Sequence, residues 1–397
     1  MSTPSRTNPL RRPLWLGTVA SILLMVSSWS SGAQRTRGGI VRMLNLDWIM
    51  YGHVKNIGFI LSWVALGLLL YCWCLWGRIV YHDNTPIRES VKTLVGWIVP
   101  LLFASPMYSR DVYSYLVQGS MVRDGFDPYK DGAAVNPGPM LLEVSPDWRN
   151  TTTPYGPLHL WIGDGITTLV GSNITIGVFL YKFISVAGYA AIAWAVVSIT
   201  RHIGGNPAVA LWLGVANPVV FLHLVGGMHN ESVMVAFSCL GLVLALRRHP
   251  LWGALFIGIG FSLKATALVT LPFLIWIAMR QRGIAPSTWS LHDPRGTLTS
   301  LKKAVPAFVF YGITTVLIVC TVLTAITYAS GTSWGWVSQL SGNTKVINLL
   351  ALPSFLAQFT AAFAASFFSG ATFNSVLSIY RSISMIIMVV LLVVVWW

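Results

Sequence analysis

Ile57-Gly-Phe-Ile-Leu-Ser-Trp-Val-Ala-Leu-Gly-Leu-Leu-Leu-Tyr-Cys-Trp-Cys-Leu-Trp76 carries no charged side chain. An α-helix rises about 1.5 Å per residue, so about 20 apolar residues cross a ~30 Å hydrocarbon layer. Comparable runs are Leu14–Ser31, Ile174–Ile199, Val305–Tyr328 and Ser375–Trp397. Of the 397 residues, 55% are hydrophobic and 10% charged, with a mean hydropathy of +0.67. Soluble domains carry about a quarter charged residues. The sequence therefore reads as one all-α polytopic membrane domain over residues 1–397.

The first run follows Arg6, Arg11 and Arg12, the layout of a signal peptide. No small-residue cleavage site follows it and further spans do, so a retained helix is expected. A net charge of +14 would suggest nucleic acid in a soluble protein. Here loop lysines and arginines orient the helices and meet anionic head groups. Cys72, Cys74, Cys239 and Cys320 lie in apolar segments without zinc spacing or a disulfide framework. The 18 tryptophans and 13 tyrosines gather near the ends of apolar runs, as interfacial belts do.

With the N-terminus inside, spans are expected at 14–31, 57–76, 93–106, 174–199, 207–225, 232–246, 305–328, 353–368 and 383–397. Residues 107–157 then lie outside, and Pro157–Gly171 is expected to rest in the outer interface. Most of the 26 lysines and arginines fall inside, although Arg35, Arg37, Arg42 and Lys55 of loop 32–56 run against that bias. The stretch 251–279 has Lys264 at its centre, and a lysine at mid-bilayer is costly. Two short helices meeting at Lys264 near the outer face avoid that cost, with a basic loop, 280–303, returning inside. The segment Met385–Trp397 is apolar to its end, so the chain is expected to be shortened at its C-terminus.

Half of the 12 acidic residues sit in one segment, 107–157: Asp111, Asp124, Asp127, Asp131, Glu143 and Asp147. Its Pro, Gly, Tyr and Asn resist regular helix, and long ordered loops are usually functional. Asp111 follows a span directly, at the membrane boundary. It could be a solvated or capping aspartate, but Arg110, Tyr113 and Tyr115 stand beside it. A carboxylate there can act as base toward a sugar hydroxyl while nearby cations hold a lipid phosphate. Asp124 reads equally as an Asp-Gly turn. Gly226-Gly-Met-His-Asn-Glu231 puts His229, Asn230 and Glu231 at a helix end, either as a cap or as sugar ligands. His223 and His229 with Glu231 could chelate a metal, but no metal is expected. Lys264 fits a lipid phosphate. Lys182 is either similar or snorkels.

The runs Pro106-Met-Tyr-Ser-Arg-Asp-Val-Tyr-Ser-Tyr-Leu116, Arg123-Asp-Gly-Phe-Asp-Pro-Tyr129 and Pro154-Tyr-Gly-Pro-Leu158 carry a resemblance. So do Ala216-Asn-Pro218, His223-Leu-Val225, His229-Asn-Glu231, Lys264 and the stretch from Ser330 to Trp336. From about residue 40 onward the chain resembles the polyprenol-phosphomannose-dependent α-1,6-mannosyltransferases of mycobacteria and corynebacteria. The resemblance implies a GT-C glycosyltransferase fold in the plasma membrane. It further implies about ten to twelve transmembrane helices, with 107–172 as an outer (periplasmic) catalytic loop. Family members run on past this chain's end. The donor implied is polyprenyl-phosphate-mannose, and the acceptor is the α-1,6-mannan backbone of lipomannan, a mannan glycolipid. Asp111 becomes the catalytic base, with Lys264 and Arg110 as donor-phosphate ligands. Asp124, Tyr129, Tyr155, His229, Asn230 and Glu231 become candidates for sugar or acceptor binding.

The expected chemistry is a single displacement with inversion and no cofactor. A polyprenyl-phosphate donor with another sugar fits the same loop. A lipid-linked-sugar flippase would place charges along a path through the bundle, and many transporters carry inverted repeats that are not seen here. A non-catalytic scaffold would not need the acid cluster.

Overall fold

In an apolar layer a backbone must satisfy its own N–H and C=O groups, and the described apolar runs do so as helices. The computed structural model describes residues 8–83, 85–284, 294–342, 351–368, 370 and 372–396. Arg6, residues 285–293 of the basic loop and Trp397 lie outside them. Among the described residues there is no strand. Two compact units form, Met1–Trp336 and Val337–Trp397.

The longer helices of the first unit are α1 (Arg11–Ser31), α2 (Gly52–His82), α3 (Ile87–Leu101), α4 (Asp111–Arg123), α5 (Pro157–Val170) and α6 (Ile174–His202). After them come α7 (Glu231–Leu246), α8 (Pro250–Phe261), α9 (Leu271–Gln281) and α10 (Pro294–Ala329). The second unit holds α11 (Leu352–Phe367) and α12 (Phe373–Trp396), joined around Ala357, Val376 and Leu377. Among the described residues, five helices are long and apolar enough to cross a membrane, or six if the bent pair Pro207–Val215 and Pro218–Gly226 is one span. Glu231–Leu246, Pro250–Phe261, Ala265–Gln281 and Leu352–Phe367 are shorter apolar helices.

Several boundaries differ from the sequence expectation, among them α2, which runs on to His82, and α10, which begins at Pro294 inside the expected basic loop 280–303. The third helix lies earlier, at Ile87–Leu101, because Pro86 holds extended backbone just before it. The last helix begins at Phe373, where Thr372 and Ser375 exchange backbone-to-hydroxyl hydrogen bonds of 2.8 and 3.2 Å. The run 207–225 is broken by a bend of 56° at Asn217-Pro218. Pro218 has no N–H to give, and the Asn217 side chain accepts from Val219 N instead.

That break leaves backbone groups in the apolar interior without helical partners. The turns before and after it widen to π geometry, with Ala216 N donating to Leu211 O and Gly227 N to Leu222 O. Two α6 side chains, seven residues apart and so on one face, supply further partners. The Tyr189 hydroxyl donates to Val215 O at 2.8 Å. The Lys182 ammonium donates to Val225 O at 3.0 Å and to Leu101 O at 3.3 Å. Lys182 is buried, so it neither snorkels nor faces a lipid phosphate. Trp73 on α2 and Trp212 on the bent pair stack at 4.9 Å, and each indole N–H donates to the other's carbonyl. Trp97 of α3 lies on Gly17 of α1 and donates to Pro13 O.

Lys182→Met takes the ammonium from Val225 O and leaves Leu101 O with the Ala104 N–H alone, and an unpaired buried polar group costs about 1–3 kcal/mol. The variant is expected to melt several degrees below the wild type in detergent, with Tyr189→Phe showing a smaller loss. An unchanged melting temperature for Lys182→Met would contradict the pinning role.

Candidate active site

Asp111 is the first residue of α4, and its backbone N–H donates to Ser109 Oγ at 3.1 Å. Asp111, Tyr115 and Gln118 follow the i, i+4, i+7 spacing of one helix face. α5 packs closely on α4, because Gly119 and Gly163 meet backbone to backbone. A Cβ on Gly119 would lie 2.2 Å from the Gly163 carbonyl carbon. His159 of α5 therefore reaches Gln118 and the Tyr115 ring.

The loop 226–231 enters from the other side. Met228 takes a left-handed backbone, φ 55, which costs energy for a non-glycine residue and turns the chain sharply. It brings His229 Nδ1 to 3.3 Å from Asp111 Oδ2 and 4.0 Å from Glu231 Oε2. The rings of His223 and His229 stack at 3.7 Å. Asn230 does not cap α7; its amide donates to His159 Nδ1 at 3.1 Å. His159 Nε2 then donates to Gln118 Oε1, which fixes a neutral tautomer. Burial, with the Lys264 charge adding to it, pushes the His159 imidazole down to about 3.

Lys264 stands where the helix between α8 and α9 breaks, in extended backbone. Its ammonium pairs with Glu231 Oε1 and lies 5.5 Å from the centre of the Tyr155 ring. The Pro154-Tyr-Gly-Pro157 motif holds this break. Gly156 N donates to Leu263 O at 3.0 Å and Leu158 N to Ser262 O at 2.9 Å. Only glycine allows that approach, since a Cβ on Gly156 would lie 2.3 Å from Ser262 O.

Asp111, His229, Glu231, Lys264 and Tyr155 thus form one chain of contacts, with Asn230 joined to it through His159. Burial alone would raise the Asp111 carboxyl. The hydrogen bond and charge of His229, the Ser109 hydroxyl and the Lys264 charge outweigh it and hold the carboxyl below its ordinary 3.8. Asp111 is therefore an anion near neutral pH, as a general base must be.

Three of the expected residues have other surroundings. Asp124 caps the far end of α4, about 20 Å of helix rise from Asp111. It pairs with Arg123 at 2.9 Å and accepts from Asn136. Tyr129 is buried with Leu160, Leu323 and Trp336, and Gly335 lies against its Cβ position. Its neighbour Asp127 accepts from Ser333 at 2.8 Å, which ties the Gly125-to-Tyr129 turn to the 330–336 loop. Arg110 meets Glu143: Nη2 donates to Glu143 Oε2 at 2.8 Å, Nε to Glu143 O and Nη1 to Gln34 O. Glu143 is buried and also receives Arg35 and the Thr36 backbone and hydroxyl. His159, Gln118 and Glu143 carried no assigned role in the sequence; a lone acid in the apolar run Met140-Leu-Leu-Glu-Val144 was the one available signal for Glu143.

A groove of about 820 Å³ opens beside Asp111. Ser28 and Ser31 of α1, Ser62 and Trp63 of α2, Tyr108 to Asp111 and Trp148 are among its walls, and none of His229, Glu231, Lys264 or Tyr155 is. Among the described residues, His223, His229 and Glu231 also have ligand atoms within 4.8 Å of one another, a set that suits a divalent transition metal. Lys264 already sits on that carboxylate and Asp111 on that imidazole.

Spanning helices with an ionised aspartate, histidines and a lysine gathered at one place define an integral membrane protein with a site fit for acid–base and group-transfer chemistry. Residues 14–280 match the family model described as "Alpha-(1->6)-mannopyranosyltransferase, N-terminal domain", and the chain belongs to that family. It is 50% identical over 384 residues to Alpha-(1->6)-mannopyranosyltransferase A of Corynebacterium glutamicum, covering 94% of this chain and 77% of the relative. It is 33% identical over 391 residues to the protein of the same name from Mycobacterium tuberculosis, covering 98% and 73%. With Alpha-(1->6)-mannopyranosyltransferase B of C. glutamicum it shares 26% over 364 residues, covering 85% and 58%. No solved structure matches the chain. The chain is a membrane member of a mannosyltransferase family.

Two outcomes follow from the geometry. Gly156→Ala is expected to displace Ser262 and Lys264 and to reduce mannosyl transfer at least tenfold; normal transfer by a folded variant would refute the motif's positioning role. Because the Asp111 carboxyl is held low, an acid limb in kcat/KM would lie below pH 3.8 were this carboxylate the base. In His229→Ala the hydrogen bond and charge are gone while burial remains, so that limb is expected to move up in pH. A profile that does not move would show that His229 does not tune the base.

Proposed function

We propose that the chain is an inverting GT-C mannosyltransferase that moves mannose from polyprenyl-phosphate-mannose to an α-1,6-mannan acceptor at the outer face of the plasma membrane. The reading includes about ten to twelve spans. The names of the relatives support the sugar and linkage. The observation that carries the mechanism is the contact chain from Asp111 through His229 and Glu231 to Lys264.

In the reaction the acceptor hydroxyl oxygen attacks the anomeric carbon of the donor mannose. The carbon–oxygen bond to the phosphate breaks, and its electron pair stays on the leaving polyprenyl phosphate. Asp111 takes the hydroxyl proton. The phosphate is already a good leaving group, so no second carboxylic acid is required, in contrast to the paired carboxylates of glycoside hydrolases. The Lys264 ammonium offsets charge growing on the phosphate, and Glu231 and the Tyr155 face hold that ammonium in place. His229 fixes the rotamer of Asp111 and keeps it ionised. The chemistry calls for no metal ion.

Membranes carrying the full chain, given radiolabelled polyprenyl-phosphate-mannose and a short α-1,6-mannoside, are expected to transfer mannose. Asp111→Asn should lower kcat by about 10²–10⁴-fold, the usual range for general base catalysis. Near-normal turnover in that variant would remove Asp111 as the base. EDTA is expected to leave the rate unchanged; a loss restored by a divalent ion would turn attention to His223, His229 and Glu231 as its ligands.

A further inference from the structure

We propose that the groove between α1 and α2 is the acceptor's subsite, receiving the neutral hexose chain of the mannan and presenting its terminal hydroxyl to Asp111. The inference rests on the mannosyl transfer reading above and adds where one of its two substrates lies.

Three observations carry it. The first is placement. The groove and the His229–Glu231–Lys264 cluster share Asp111 and none of the other residues of that cluster. A displacement needs the attacking hydroxyl opposite the leaving phosphate, with the base within reach of the hydroxyl. If the phosphate is drawn to Lys264, the free approach to Asp111 is from the groove.

The second is lining chemistry. A hexose has hydroxyls around its rim and an apolar C–H face. The groove is lined by Ser31, Ser62 and Ser109, whose hydroxyls bond Ser27, one another and the Asp111 N–H and keep lone pairs for a ligand's hydroxyls, beside the rings of Trp63, Tyr108 and Trp148. These three rings are solvent- or lipid-accessible rather than packed, at 62%, 63% and 42% exposure. Amphipathic aromatics beside neutral polar groups suit a ligand with one apolar side and one polar side. The volume of about 820 Å³ lies within the range of about 300–1,000 Å³ found for small-ligand sites.

The third is charge. A phosphate would need an available cation, and the groove's cation is Arg110. Three of its N–H groups already donate, to Glu143 and to Gln34 O, and the Asp111 carboxylate on the same wall would repel a second anion. The groove is therefore suited to a neutral chain rather than to the anionic donor head. Trp63 also faces outward on a spanning helix, so a glycan with a lipid anchor can slide in from the bilayer.

The test measures acceptor and donor KM separately, in membranes carrying the full chain, with polyprenyl-phosphate-mannose and a short α-1,6-mannoside. Trp148→Ala removes one ring, and Ser145→Trp fills the groove from its outer rim. Both should raise the acceptor KM about tenfold or more while donor KM and kcat stay within about twofold, the mark of lost ground-state binding. Calorimetric titration with the mannoside alone should show the same loss of affinity without turnover. Raised donor KM in either variant would assign the groove to the donor and overturn the proposal. So would unchanged acceptor KM and affinity in both. Mannoside binding that the variants weaken, in a wild type that transfers no mannose, would uphold the groove and refute the transfer reading; no binding and no transfer would remove both.

Discussion

A broken helix within an apolar layer is tolerable only where something else answers its exposed carbonyls, and that constraint organises this molecule. The break at Asn217-Pro218 gives the chain the turn it needs to deliver His229 to Asp111. Lys182 and Tyr189, two turns apart on α6, meet the carbonyls on either side of it. Lys182 also holds Leu101 O, the last turn before the segment that ends in Asp111. Met107 N donates to Gly226 O at 3.0 Å and joins the same two segments. Base and partner thus arrive at 3.3 Å because two helix ends are tied to one side chain.

The polar cluster obeys a second constraint, alternation of charge. Asp111, His229, Glu231 and Lys264 follow one another so that each carboxylate has a nitrogen beside it. Buried charges survive when they are paired, and removal of one member leaves its neighbour uncompensated. Glu143 with Arg35 and Arg110 repeats the device nearby and anchors the 33–37 loop.

Much of this was legible in the sequence, for local reasons. Span length shows in unbroken apolar runs, and the lysine at 264 announced a break because the alternative was a charge at mid-bilayer. The acids crowding 107–157 pointed to Asp111, and the site's His229-Asn-Glu231 run stood at a helix end. What escaped depends on contacts far apart in the chain. Asp124 and Tyr129 share motifs with candidate site residues, yet thirteen residues of helix carry Asp124 away from Asp111 and Tyr129 packs against Trp336. Arg110 adjoins Asp111 in sequence but turns to Glu143, 33 positions on. Asn230 has the chemistry of a helix cap and instead orients His159, 71 positions back. No spacing rule announces such pairings, because they join segments far apart in the chain.

The two pins on α6 have a mechanical corollary. At 29 residues this helix is about 43 Å long, well over a ~30 Å hydrocarbon layer. A helix with that excess answers a thinner or thicker bilayer by tilting. Since Lys182 and Tyr189 ride on it together, a change in tilt is transmitted as a single rigid displacement to the segment that leads into His229. The two pins thus make α6 and the bent segment one lever, so that neither side of the break can shift without the other.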